Sequence, residues 1–139
     1  MFSPYGRPRQ NPRKEGVPMP APNMFIVYVS DAPSAARFYS DLFDITPSLE
    51  TPGFVAFDLA PGIQLALWDL AKEDLHRAAL RTSEICLALP GAPEAIDAQF
   101  ATWKGKGVHV VSEPRDESFG RTFVVADPDG NLIRVAPVG

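Results

Sequence analysis

The sequence predicts an α+β protein built from two tandem β-α-β-β-β units. Three observations predict it. A strand followed by an amphipathic helix occurs early and recurs in the second half, three short strand-like runs follow each helix, and Pro-Gly or Asp-Pro-Asp-Gly turns separate several of those runs. An internal duplication of this size implies two copies of one supersecondary unit. Unit one is expected over residues 23–69, a connector over 70–82 and unit two over 83–137. Together they form a single domain, 23–139, behind a proline-rich N-terminal arm, 1–22.

The first run, Met24 to Ser30, is rich in β-formers. Asp31 then offers a helix N-cap and Pro33 suits a first helical turn, while Ala35, Phe38, Tyr39 and Leu42 fall at three- and four-residue spacing. Short strands are expected at Pro47–Glu50, Phe54–Leu59 and Ile63–Trp68, divided by Pro52-Gly53 and Pro61-Gly62. Residues 70–82 are charged and irregular, with room for one helical turn. Unit two opens with a strand at Glu84–Leu89. A helix follows from Pro93, with Ile96, Phe100 and Trp103 on its apolar face and Gly105 and Gly107 ending it. Strands at Val108–Ser112, Arg121–Ala126 and Asn131–Val135 complete the unit, the last two joined by a reversal at Asp127-Pro128-Asp129-Gly130. Asp127 and Asp129 are read as holding that turn.

Composition narrows the function. The chain has 139 residues, 45% hydrophobic and 22% charged, enough for one ordinary core. A net charge of -4 argues against a nucleic-acid partner, which needs a basic face to displace counterions. Six of the fifteen prolines fall in residues 1–22, which read as a polyproline-like leader. No apolar run reaches the roughly 20 residues that span a bilayer, and the first residues lack the apolar stretch of an export signal. A cytoplasmic location and no membrane partner are therefore expected. The single cysteine, Cys86, excludes an internal disulfide and suits a reducing compartment. Set between Ile85 and Leu87 in an apolar strand, it is expected to be a small buried hydrophobe rather than a nucleophile.

The stretches Tyr28-Val-Ser-Asp-Ala-Pro-Ser-Ala-Ala-Arg-Phe-Tyr-Ser-Asp-Leu-Phe43 and Asp127-Pro-Asp-Gly-Asn-Leu-Ile-Arg-Val135, the second of which closes the second unit, resemble the vicinal oxygen chelate superfamily of glyoxalase I, extradiol dioxygenases and bleomycin-resistance proteins. The resemblance implies that the paired units curl into a mixed-sheet cup with the helices outside. It also implies a homodimer, in which units are sometimes exchanged, and a small molecule bound in the cup. In the enzymes of the superfamily, four cup-facing strand positions hold a divalent metal. Here the matching residues are Met24, Gln64, Glu84 and Arg134. A fixed guanidinium repels a cation instead of ligating it, and neither His76 nor His109 stands at a ligand spacing. No metal, no cofactor and no catalytic residue are expected.

A narrower resemblance rests on Ser83-Glu-Ile with Leu89-Pro90, Phe119-Gly-Arg-Thr-Phe123, Ile133-Arg-Val-Ala-Pro137 and Ala66-Leu-Trp68. It is to phenazine-antibiotic resistance proteins, which bind an aromatic tricycle without a metal. This implies a planar, carboxylated ligand stacked on Trp68, with Tyr28, Phe57 and Phe119 as wall candidates and Met24, Gln64, Glu84 and Arg134 around it. Which of Phe54 and Phe57 faces inward is open. Arg134 either receives a ligand carboxylate or only pairs with Glu84, and Trp68 has the competing role of a core or interface residue. Arg121 reads as an exposed strand arginine. The leading expectation is thus a binding protein that sequesters an aromatic antibiotic. The alternatives are a metal-dependent lyase, isomerase or dioxygenase using Glu84 with Gln64, and a non-catalytic partner domain.

Overall fold

The structure, a computed structural model, describes residues 21–77 and 81–138. All but the last two residues of the proline-rich arm fall outside the described residues. The first unit runs β1 (Met24–Val29), α1 (Ala32–Phe43), β2 (Leu49–Glu50), β3 (Phe54–Ala60) and β4 (Ile63–Asp69). The connector holds one short helix, α2 (Lys72–Arg77). The second unit repeats the order with β5 (Glu84–Leu89), α3 (Pro93–Gly105), β6 (His109–Glu117), β7 (Gly120–Ala126) and β8 (Leu132–Pro137). Each unit makes a mixed four-stranded sheet, ordered β1-β4-β3-β2 and β5-β8-β7-β6. In each, the first strand lies parallel to the last and the remaining pairs are antiparallel.

Strand β6 runs past its expected end at Ser112 to Glu117. Two register shifts, between Val110 and Ser112 and between Ser112 and Arg115, carry the ladder across Glu113-Pro114, where proline cannot donate. The expected N-cap Asp31 is in place with extended backbone, but its side chain makes no cap bond. The first orphan N–H of α1, on Ala32, instead donates to the carboxylate of Asp69 at the end of β4, which fixes the helix to its sheet.

One face of each sheet is covered by helix. Val29, Val55, Phe57 and Leu67 from the first sheet join Phe123, Val125, Ile133 and Val135 from the second in one core cluster with Tyr39, Ile96 and Trp103. The rings of Phe43 on α1 and Trp103 on α3 lie 6.1 Å apart, so the helices of the two units share this core. Each fully buried large side chain stabilises the fold by about 1.5–3 kcal/mol.

The Asp127–Asn131 turn joins the units as well as reversing the chain. Asp127 Oδ1 accepts from the backbone of Asp129 (2.9 Å) and Asn131 (2.8 Å), as the turn chemistry requires. Its Oδ2 accepts from the Tyr39 hydroxyl of α1 (2.8 Å) and from Asn131 Nδ2 (2.9 Å). Asp129 Oδ2 accepts from the Ser30 backbone, and Asn131 Nδ2 donates to the Tyr28 carbonyl. The β1–α1 junction of unit one is thereby tied to the last turn of unit two.

Burial, and after it the Asp127 carboxylate, push the Tyr39 phenol far above its ordinary value of 10.0. The native state keeps this proton where the unfolded chain loses it. The associated stability is complete below pH 10 and is lost as pH rises beyond it, by up to about 1.4 kcal/mol per pH unit. Urea unfolding at pH 9 and pH 11 is expected to show this fall in wild type, and a shallower one in Tyr39→Phe.

Candidate functional site

Alternation along the strands sends the other half of the side chains to the faces without helix. On β1 and β4 the register sets Met24 beside Gln64, Ile26 beside Ala66 and Tyr28 beside Trp68. Tyr28 and Trp68 are stacked, with centroids 6.1 Å apart and planes 22° from parallel, yet 45% and 46% exposed. Phe54, opposite Trp68 on β3, meets its ring edge-on at 5.8 Å. Gln64 donates to Asp58 Oδ1 at 2.9 Å.

Phe57 is a correction. It is 0% exposed and packs in the helix-side core, so Phe54 is the aromatic that shares the Trp68 face. The reason is a bulge. Ala60 pairs with Ile63, and an unbroken hairpin from there would set Phe57 opposite Ala66; the register shift between Asp58 and Ala60 sets it opposite Leu65 instead, on the other face. Cys86 is a second correction: it is exposed. Ile85, Leu87 and Leu89 pack toward the core, and the same alternation leaves Glu84 and Cys86 on the open face.

The open face of unit two carries the charge. Arg134 donates to Glu84 through Nε (2.7 Å to Oε1) and Nη2 (3.1 Å to Oε2), a bidentate pair. Its Nη1 donates to Thr122 Oγ1 at 3.2 Å, while the Thr122 hydroxyl donates to the Val135 carbonyl at 2.6 Å. The hydrogen bonds it donates to Glu84 hold the guanidinium above the ordinary arginine value. Thr122, which buttresses Arg134, carries no signal in the sequence beyond its parity with Val124, the residue directly opposite Arg134. Arg121 is pinned on the surface by Asp97 (2.8 Å) and Asp116 (3.3 Å).

The two halves meet along a groove of about 490 Å³ between the β1 and β5 edges. Met24, Ile26 and Tyr28 line one side, Ser83, Glu84 and Leu132 the other. Tyr28 carries the groove toward Trp68 and Glu84 carries it toward Arg134. Phe119 is not brought into this groove. It sits more than half exposed at the β6–β7 hairpin tip, on the two strands farthest from the β5 edge. Gly120 beside it has φ 125° and lies so close to Pro137 that a Cβ would come within 2.7 Å of Cγ. A larger hollow of about 750 Å³ lies between α1 and α3, where Arg37, Asp41, Asp44 and Lys106 mix both signs of charge.

The four positions do not fit a divalent metal. Met24 supplies a thioether, Gln64 an amide already bonded to Asp58, and Glu84 a carboxylate whose two oxygens both face Arg134. Among the described residues, no group of three or more His, Cys, Asp and Glu side chains is disposed to hold a metal.

Residues 21–135 match the glyoxalase/bleomycin resistance protein/dioxygenase superfamily. The chain belongs to that superfamily. It is 37% identical over 124 residues to the phenazine antibiotic resistance protein EhpR of Enterobacter agglomerans, covering 87% of this chain and 95% of that one. An Agrobacterium tumefaciens protein solved in solution by NMR superposes with a TM-score of 0.71 at 32% identity, covering 87% of this chain and 99% of the other. A glyoxalase-related enzyme from Fulvimarina pelagi shares the fold, with a TM-score of 0.68 at 19% identity over 87% and 94% of the two chains. Among the described residues no helix is long and apolar enough to cross a membrane.

Proposed function

We propose that this superfamily member binds a small planar aromatic compound of the phenazine type on its open sheet face and protects by holding it, without converting it. The observation that carries the reading is the Tyr28–Trp68 stack, left nearly half exposed on the open face of the first sheet. Stacked aromatics flanked by exposed Met24 and Ile26 make an apolar platform, and such patches mark binding surfaces. A planar tricycle laid on Trp68 gains about 0.5–1.5 kcal/mol beyond its burial. The 37% identity to a phenazine resistance protein favours this ligand class over others a flat apolar face admits.

In the same reading two chains associate so that their open faces close into a cup, with the Trp68 platform and the Arg134 pair on its walls. Sequestration is stoichiometric and asks only for affinity. Among the described residues, no group of three or more His, Cys, Asp and Glu side chains is disposed to hold a metal there.

The reading is tested by titrating the full chain with phenazine while following tryptophan emission. Trp103 is 1% exposed in the core, so the ligand-dependent signal comes from Trp68. Saturable quenching at micromolar ligand is expected. An unchanged spectrum up to the solubility limit of phenazine, with no heat of binding by calorimetry, refutes it.

A further inference from the structure

Resting on that reading, we infer that Asn131 is a positioning residue for the aromatic platform: from the last turn of unit two it sets where Tyr28 stands on unit one, and so how well the Tyr28–Trp68 stack receives a planar ligand. Strand β1 is the edge of its sheet, with β4 as its neighbour strand. The carbonyls of Asn23 and Val29 accept from Gln64 and Leu70 on the β4 side, so the Tyr28 carbonyl, at the opposite parity, points outward over the groove. Val27 and Val29 anchor one face of the strand in the core, while Met24, Ile26 and Tyr28 on the other face are exposed. Packing therefore leaves the outer edge unrestrained, and two side chains of the turn hold it. Asn131 Nδ2 donates to the Tyr28 carbonyl at 3.0 Å, and Asp129 Oδ2 accepts from the Ser30 N–H at 3.0 Å.

The Asn131 amide can face only one way. Its Oδ1 accepts from Arg81 Nε at 3.2 Å, and arginine only donates. Its nitrogen serves two acceptors, the Tyr28 carbonyl and Asp127 Oδ2 at 2.9 Å. The backbone is fixed as well: the Asn131 N–H donates to Asp127 Oδ1 at 2.8 Å, and its carbonyl accepts from the Asp127 N–H at 2.9 Å. Arg81 Nη2 donates to the Asp129 carbonyl at 2.9 Å, so the guanidinium is held on the same turn. Aspartate would place an oxygen where Tyr28 needs a donor, and glutamine is one methylene too long. A residue held this firmly transmits the position of the turn to Tyr28. The Tyr28 ring, 22° from parallel with Trp68, moves with its backbone, and stacking depends on ring offset and tilt.

Calorimetric titration with phenazine-1-carboxylate, a soluble planar probe, tests this. Asn131→Ala, folded by circular dichroism, is expected to bind it about tenfold more weakly than wild type. Lys106→Met severs a different bond between the units, from Lys106 Nζ to the Asp41 carbonyl at 2.7 Å on the helix side. It is expected to change affinity by less than about threefold. In a Tyr28→Ala background, where no ring is left to position, adding Asn131→Ala is expected to change affinity by less than about twofold. An Asn131→Ala protein that binds within about threefold of wild type overturns the inference, as does an equal loss in the Tyr28→Ala background or from Lys106→Met. The aromatic-binding reading stands in each of those cases. Should Asn131→Ala not fold, titration of wild type followed by NMR decides: the Asn131 side-chain amide protons are expected to move together with the Tyr28 signals, and unmoved amide protons overturn the inference. If wild-type protein binds neither this probe nor phenazine, the binding reading itself fails and takes this inference with it.

Discussion

Trp68→Ala is expected to weaken phenazine binding by roughly 30- to 150-fold while leaving the fold in place. The ring supplies about 0.5–1.5 kcal/mol of stacking, and covering its exposed half with ligand adds about 1.5 kcal/mol of burial. At 1.4 kcal/mol per tenfold, the combined loss of about 2–3 kcal/mol gives that range. In the free protein Trp68 touches Tyr28 and Phe54 from an exposed strand position, so its removal costs the fold about 1 kcal/mol or less. Calorimetric titration and urea unfolding of one preparation separate the two quantities. A stability loss above about 3 kcal/mol would make Trp68 a core residue and not a platform.

Asp127→Ala is expected to have the largest effect on stability, about 3–5 kcal/mol of the 5–15 available to an ordinary domain. Asp127 is 3% exposed and accepts four hydrogen bonds, from Asp129, Tyr39 and twice from Asn131. Removing the carboxylate strands the Tyr39 hydroxyl in the core and loosens the turn that ties unit two to Ser30 and Tyr28. Asp127→Asn is expected to be nearly as costly, because its amide nitrogen would face donors where Oδ2 accepts. A loss below about 1 kcal/mol in urea unfolding of either variant would contradict this role.

Most of the fold was legible because its signals are local. Period-2 and period-3.6 patterning, Pro at the start of each helix and Gly in the turns depend on neighbours in sequence. They located every strand and both long helices to within a few residues, apart from the longer reach of β6 across Pro114. What was not legible depends on register or on distant partners. One bulge after Asp58 exchanged Phe57 for Phe54 on the open face. Cys86 read as buried because its neighbours are apolar, yet those neighbours take the core side and leave it exposed.

Asp69 capping Ala32 and Tyr39 meeting Asp127 join residues 37 and 88 positions apart, beyond the reach of any spacing argument. At the candidate site, the sequence offered Arg134 two partners, a ligand carboxylate or Glu84. In the structure Glu84 takes the Nε–Nη2 edge of Arg134 with both carboxylate oxygens.

The most direct test of the open face as the binding surface is backbone amide chemical-shift mapping of the labelled protein titrated with phenazine. Shifts are predicted to concentrate on Met24 to Tyr28, Ala66 to Trp68 and Glu84 to Ala88, with the Trp68 indole signal moving most. Shifts confined to the α1–α3 hollow around Arg37, Asp41 and Lys106, with Trp68 unmoved, would contradict the account.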